Sequence, residues 1–131
     1  MQLTVTTIIF GLPTGQRLSS VRLTLPAATL TVHELIAHKV RQEVEECLAY
    51  QRSGMSGEYW SPEALLGATT RAPGVIPGTV VDEIIRAQQA FAARAYMIVV
   101  DNQRIWAAEE GLTLAPQTQV EFIKILPLVG G

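Results

Sequence analysis

The spacing of apolar residues changes abruptly near position 32, and this change constrains the fold more than any other feature. Before it, the stretches QLTVTTIIF and RLSSVRLTL show a two-residue period rich in β-branched side chains, the pattern of strands with one buried face. The GLPTGQ segment between them has the Gly and Pro content of a turn, so residues 2–25 are predicted to form an antiparallel hairpin. In the first strand Leu3, Val5, Thr7 and Ile9 alternate with Thr4, Thr6, Ile8 and Phe10, and one of these faces is expected to pack on a core. The second strand continues the alternation with Val21, Leu23 and Leu25.

A helical period follows. Thr31 and Glu34 have the spacing of a capping box, which marks the start of a helix over VHELIAHKVRQEVEECLAYQ. Apolar residues recur there at helical spacing and leave the charged residues toward water, so a long amphipathic helix is predicted. The predicted buried stripe consists of Val32, Leu35, Ile36, Val40, Val44, Cys47 and Leu48.

The middle of the chain breaks both periods. Residues 53–78 are interrupted by repeated Gly and Pro, with a short helix predicted within SPEALLG at 61–67. Thr79 is then predicted to cap a second helix, VVDEIIRAQQAFAARA. Residues 53–94 are interpreted as an insertion made of this loop and this helix. The face of the second helix expected to be buried is formed by Val81, Ile84, Ile85, Gln88, Phe91 and Ala92.

The C-terminal third returns to strands. YMIVVDNQRIWA reads as strand, Asp-Asn turn and strand, and after the turn EEGLTLAPQT the last strand is QVEFIKIL. A hairpin, a crossing helix and a return to the sheet predict one α+β domain over residues 1–131, with the last strand beside the first. The final strand would then be central, and the residues after it would project from the sheet.

Composition excludes several classes of function. The net charge is −2 with 17% charged residues, which gives no electrostatic footprint for nucleic acid. No stretch approaches the roughly 20 apolar residues that span a bilayer, and the single cysteine, Cys47, fits a reducing cytoplasm. His33 and His38 are five residues apart, on different helix faces, so they do not predict a zinc pair. Without a phosphate loop, a catalytic triad or a metal-ligand cluster, neither an enzyme nor a bound cofactor is expected.

The end of the chain carries the most specific motif. The stretch VVDNQRIWAAEEGLTLAPQTQVEFIKILPLVGG resembles the C-terminal half of ubiquitin-like β-grasp proteins, and it is closest to the sulfur carriers of molybdopterin and thiamin synthesis. The shared features are a short hairpin, acidic residues before a turn, a hydrophobic strand, a proline and a final Gly-Gly. The first 52 residues fit the family by pattern alone, whereas residues 53–94 depart from its compact middle. The resemblance implies a mixed sheet packed on the long helix, with a helical and loop insertion.

The resemblance also implies that the carboxylate of Gly131 is the reactive group. A ubiquitin-activating-like adenylating enzyme would charge it with ATP, and a transfer enzyme and a deconjugating peptidase would follow in a prokaryotic pathway; the sequence does not indicate the target. Gly130 and Gly131 lack β-carbons that would obstruct a narrow channel. Pro127 cannot donate a ladder hydrogen bond and so would release the tail, residues 127–131, from the sheet. Leu128 and Val129 complete the segment that the enzyme would recognise.

Two pairs of residues are candidates for a partner surface. Alternation in the last strand points Val120 and Phe122 inward and leaves Ile123 and Ile125 on the opposite face, where they form a recognition patch or are covered by the insertion. The adjacent aromatic residues of the insertion anchor a partner or form a small core within the loop. This second pair is Tyr59 and Trp60.

The sequence is compatible with three functions. The first is a ubiquitin-like protein modifier, whose only lysines, Lys39 and Lys124, would restrict lysine-linked chains. The second is a sulfur carrier that bears a thiocarboxylate on Gly131. The third is a β-grasp module for binding or self-assembly, in which the Gly-Gly ending is incidental.

Overall fold

The fold is taken from a computed structural model, which describes residues 1–12, 15–52 and 79–126, without the side chains of residues 50–52. Its main sheet has five strands in the order β2-β1-β7-β4-β5. β1 and β7 run parallel, and the other neighbouring pairs are antiparallel. The elements are β1 (Gln2–Leu12), β2 (Gly15–Thr24), β3 (Thr29–Thr31), α1 (Val32–Arg52), α2 (Val80–Ala92), β4 (Met97–Val100), β5 (Gln103–Ile105), β6 (Gly111–Thr113) and β7 (Val120–Ile125).

This architecture confirms the predicted α+β, β-grasp arrangement. The first hairpin forms, α1 packs on one face of a mixed sheet, and β7 lies beside β1 at the centre of the sheet. The predicted alternation is confirmed, and the buried face of the hairpin is the one that carries Leu3, Val5, Thr7, Ile9, Val21, Leu23 and Leu25. The last strand therefore ends in the middle of the sheet, as the sequence indicated.

The start of α1 is fixed by the predicted capping box. The Glu34 carboxylate accepts from the backbone N–H of Thr31 at 3.0 Å, and the Thr31 hydroxyl accepts from the backbone N–H of Glu34 at 3.2 Å. These hydrogen bonds satisfy two donors that the first turn leaves unpaired. The bond from the Thr31 backbone also holds the pKa of Glu34 below its ordinary value.

The predicted orientation of α2 is wrong in part. Ile84 and Phe91 are buried as expected, but Val81 and Ile85 are 57% and 45% exposed. The buried stripe is rotated toward Glu83, whose carboxylate pairs with Arg86 at 3.2 Å. The rotation is possible because small side chains face the neighbouring elements and allow close packing, while the ion pair reduces the cost of burying a carboxylate. The buried residues of α2 are Glu83, Ile84, Ala87, Ala90 and Phe91.

Two short strands were not predicted. β3 and β6 pair in an antiparallel two-stranded sheet, in which Leu30 faces Leu112. Each has three residues, and β6 lies within the EEGLTLAPQT segment that was interpreted as a turn. The pair joins the start of α1 to the segment before β7, since the backbone N–H groups of Val32 and His33 donate to the carbonyls of Glu110 and Ala108. The short helix predicted at 61–67 lies outside the described residues.

Candidate functional site at the carboxyl end of β7

The structure shows where the C-terminal segment leaves the sheet. The last registered pair of β1 and β7 is Phe10 with Ile125. The backbone N–H of Leu126 then donates to the carbonyl of Phe10 at 2.9 Å, one residue beyond β7. The tail predicted from the sequence starts at the next residue, and its members Pro127, Leu128, Val129, Gly130 and Gly131 lie outside the described residues.

A glycine in β1 shapes this exit. Gly11 has φ +90°, and a β-carbon placed on it would lie 2.7 Å from the carbonyl oxygen of Leu126. The pairing of β1 with β2 shifts register between Ile9 and Leu12, so Gly11 lies in an irregular part of the strand. Only glycine combines this left-handed backbone with so close an approach of a neighbouring chain.

Gly11→Ala is expected to destabilise the fold more than Gly15→Ala. Both glycines have positive φ, which costs a side chain about 1–3 kcal/mol, but the β-carbon at Gly15 would meet nothing within 4 Å. The clash with the Leu126 carbonyl adds a further cost on the order of 1 kcal/mol at Gly11 alone. Urea unfolding of the two variants measures the difference. Equal losses would show that the approach of Leu126 does not constrain β1.

The outer face of the sheet is apolar at the same end. The parallel register places Ile8 beside Ile123, and Ile123 lies opposite Met97 on its other side. Leu18 is opposite Ile8. Leu18 and Ile125 are 56% and 59% exposed, and Phe10 is 37% exposed. We name this surface the outer patch; it consists of Ile8, Phe10, Leu18, Met97, Ile123 and Ile125.

The predicted residues Ile123 and Ile125 thus lie together, and the sequence reasoning missed the other four members of the outer patch. Their alternation along the chain was visible, but their meeting depends on the register of non-adjacent strands. Tyr59 and Trp60, the other predicted partner residues, lie outside the described residues.

An exposed tryptophan was also missed. Trp106 is 57% exposed and follows Ile105, whose partner in β4 is Ile98. The guanidinium carbon of Arg104 lies 3.7 Å from the centroid of the Trp106 ring, and that of Arg94 lies 5.2 Å from it. Cation–π contacts of this kind hold the ring in place at an exposed position.

The inner face at this end carries a buried lysine. Lys124 alternates inward between Ile123 and Ile125 and is 6% exposed. Its ammonium donates to the carbonyl of Ala95 at 2.7 Å, a hydrogen bond that ties the end of β7 to the segment before β4. Burial lowers the pKa of Lys124 below the ordinary value for lysine.

The Cys47 thiol is buried on α1, and burial raises its pKa, the opposite of what a nucleophilic cysteine needs. Among residues 1–12, 15–52 and 79–126, no three His, Cys, Asp or Glu side chains cluster as metal ligands would. Within the same ranges, no helix has the length and apolarity to cross a bilayer.

A polar cleft of about 350 Å³ lies at the other end of β7. Thr4 and Thr6 of β1 form one wall and Glu121 of β7 belongs to its lining. The cleft thus lies at the start of β7, whereas the C-terminal segment leaves the sheet after Ile125 at the other end of the strand. The rest of the lining is Pro116, Gln117, Thr118, Gln119 and Val120.

No model of a known protein family matches the chain, and no curated protein or solved structure is significantly similar to it. The resemblance to ubiquitin-like proteins therefore depends on the sequence motifs alone, and the β-grasp arrangement depends on the strand order and packing described above.

Proposed function

We propose that the protein is a ubiquitin-like modifier of a prokaryotic, cytoplasmic conjugation pathway and not itself an enzyme. The observation that carries the proposal is the exit of the chain from the centre of a β-grasp sheet at Leu126, followed by five residues that end in Gly130 and Gly131. The proposal takes Gly131 as the bearer of the free carboxylate. A partner adenylating enzyme supplies ATP, a transfer enzyme and a deconjugating peptidase complete the pathway, and the modified target is another protein.

The chemistry requires nothing from the fold except presentation of the terminus. An α-carboxyl group has a pKa of about 3.5 in model peptides, so the carboxylate is ionised at neutral pH. Its oxygen attacks the α-phosphorus of ATP and pyrophosphate leaves, which forms an acyl-adenylate. A target amine then attacks the acyl carbon, AMP leaves with the electrons of the broken C–O bond, and the nitrogen loses a proton. Glycine lacks a β-carbon that would hinder either attack.

Tail length limits where the enzyme binds. Five residues span at most about 18 Å when fully extended, so the active site must approach Leu126 within that distance. An enzyme that reaches Gly131 therefore contacts the carboxyl end of β7. The outer patch is the exposed apolar surface there, and Ile125 is its member nearest the tail. We assign the outer patch to docking of the adenylating enzyme.

The conjugation proposal is tested on protein recovered by antibody from its own cells under denaturing conditions. Trypsin cleaves after Lys124, so a modified target retains the remnant ILPLVGG, residues 125–131, on a lysine. We expect this remnant on other proteins for the wild type and its absence for a Gly131 deletion. If the wild type yields no such remnant, the modifier function is contradicted.

Ile125→Asp is expected to weaken binding to the adenylating enzyme about 10-fold or more, because the contact would bury an unpaired carboxylate among apolar side chains, at a cost of at least about 1.4 kcal/mol. Val81→Asp is the matched control, since Val81 is equally exposed but lies on α2. Titration calorimetry of both variants, with their unfolding curves, separates binding from stability. Equal affinities for the two variants would remove the outer patch from the docking surface.

A sulfur carrier is the second candidate, favoured by the similarity of FIKILPLVGG to the molybdopterin and thiamin carriers. In this function a sulfide-level sulfur donor attacks the acyl carbon of the adenylate, AMP leaves with the electrons of the broken C–O bond, and Gly131 carries a thiocarboxylate. Mass analysis of the same recovered protein distinguishes a sulfur carrier from a modifier. For a sulfur carrier, the C-terminal peptide would gain the mass difference between sulfur and oxygen, and no remnant would appear on other proteins.

A binding or self-assembly module is the third candidate, favoured by the exposed outer patch. It predicts that deletion of Gly130 and Gly131 leaves every cellular phenotype of the protein unchanged. Loss of a phenotype on this deletion would contradict it.

A further inference from the structure

Both lysines of the 131-residue sequence are buried. Lys39 is 0% exposed and Lys124 is 6% exposed. Both lie in the described ranges, and residues 13–14, 53–78 and 127–131 contain no lysine. The folded chain thus presents no lysine ammonium to solvent, although long charged side chains are almost never fully buried unless they are paired.

Lys39 is enclosed by its own helix and by β7. Its ammonium pairs with a Glu43 carboxylate oxygen at 2.8 Å, one turn along α1. The same nitrogen lies 4.7 Å from the centroid of the Phe122 ring. An electrophile would reach this nitrogen only after a local opening of the structure around it.

Lys124 is the amine that lies nearest to the tail in sequence, seven positions before Gly131. An activated Gly131 would be exposed to attack from a free amine so close, because a short tether gives a high effective concentration. The inward alternation of β7 and the hydrogen bond to Ala95 at 2.7 Å hold the amine away on the core side. The lowered pKa of Lys124 makes this restraint important, because a larger fraction of the amine is uncharged and nucleophilic.

We propose that burial of Lys39 and Lys124 prevents the protein from modifying itself through lysine: its activated tail neither cyclises onto its own lysine nor extends into lysine-linked chains. This inference depends on the modifier function proposed above. In the step that is prevented, the lone pair of a lysine nitrogen forms a bond to the acyl carbon of Gly131, AMP or a thiol leaves, and the nitrogen loses a proton. That step needs an accessible lysine lone pair, which the folded domain does not offer.

Acetylation of the folded protein with an N-hydroxysuccinimide ester tests lysine protection without any partner enzyme. Peptide mass analysis gives the acetylation rate of each lysine. We expect Lys39 and Lys124 to react about 100-fold more slowly than a lysine at an exposed position, because acetylation of a buried lysine requires local opening of the structure. Arg41→Lys supplies that reference, because Arg41 is exposed on the same helix as Lys39. In guanidinium chloride all three lysines should react alike. Rapid acetylation of Lys39 or Lys124 in the folded protein would overturn the inference.

The conjugation reaction then tests the consequence. Wild-type protein should give no adduct of modifier on modifier through lysine, whereas Arg41→Lys should give such adducts, mapped to position 41. Chains or cyclic products through Lys39 or Lys124 of the wild type would contradict the inference while leaving the modifier function intact. A complete absence of adducts contradicts the modifier function instead, and the acetylation rates still decide whether the lysines are protected.

Discussion

Lys39→Ala is expected to lower the free energy of unfolding by about 3–5 kcal/mol, the usual effect of removing one partner from a buried ion pair. The substitution leaves the Glu43 carboxylate, whose side chain is only 15% exposed, without the ammonium that lies 2.8 Å away. It also removes the contact of the lysine with the Phe122 ring and opens a cavity between α1 and β7. Urea unfolding followed by circular dichroism measures the loss.

Two controls separate the charge effect from the packing effect. Lys39→Met combined with Glu43→Leu replaces the pair by apolar side chains of similar size, and we expect its stability within about 1–2 kcal/mol of the wild type or above it. Gln42→Ala removes the exposed contact between Gln42 and Glu46 on the same helix and should change stability by less than about 0.5 kcal/mol. If Lys39→Ala is no more costly than Gln42→Ala, Lys39 is not buried in solution.

Phe122→Ala is expected to destabilise the protein by about 3–5 kcal/mol, the typical cost of truncating a buried aromatic side chain. Phe122 is 1% exposed at the centre of the main sheet. Its ring stacks on that of Tyr96, with centroids 5.7 Å apart. The centroid of the Phe122 ring also lies 4.7 Å from the ammonium of Lys39. Truncation therefore removes contacts from the sheet, from α1 and from the segment before β4 together.

Phe122→Leu is the matched control, because it keeps an apolar side chain and fills part of the space. We expect a cost well below that of the alanine variant. Ile125→Ala, on the exposed face of the same strand, should cost about 0.5 kcal/mol or less. Similar losses for Phe122→Ala and Ile125→Ala in thermal unfolding would contradict the assignment of inner and outer faces in β7.

Strong local patterns predicted most of the main sheet. The two-residue period of the hairpin and the Thr31 capping box act within a few residues of chain, so they can be read from sequence. β3 and β6 have no such signal, because strands of three residues form only when tertiary packing brings Leu30 to Leu112. The orientation of α2 was missed at Val81 and Ile85 for a related reason, since the helix buries Ala87, Ala90 and the paired Glu83 together with Ile84 and Phe91 and leaves Val81 and Ile85 exposed.

Sequence predicts the residues of the candidate site only where the alternation within a single strand decides which side chains share a face. Alternation along β7 separates Ile125 from Phe122, so that part of the outer patch was identified. Leu18 and Met97 join it through pairing of β2 with β1 and of β4 with β7, which the sequence does not encode locally. The close approach of Gly11 to Leu126 likewise depends on a contact between strands 115 residues apart in sequence.

Exchange of labelled pyrophosphate into ATP tests directly whether an adenylating enzyme activates the carboxylate of Gly131. The full chain is incubated with each purified adenylating enzyme of the source organism, and the Gly131 deletion is treated in the same way. We predict that one enzyme catalyses exchange that depends on the wild-type chain and is lost with Gly131 removed. The proposed activation of Gly131 is contradicted if no enzyme gives chain-dependent exchange, or if the truncated chain supports exchange equally well.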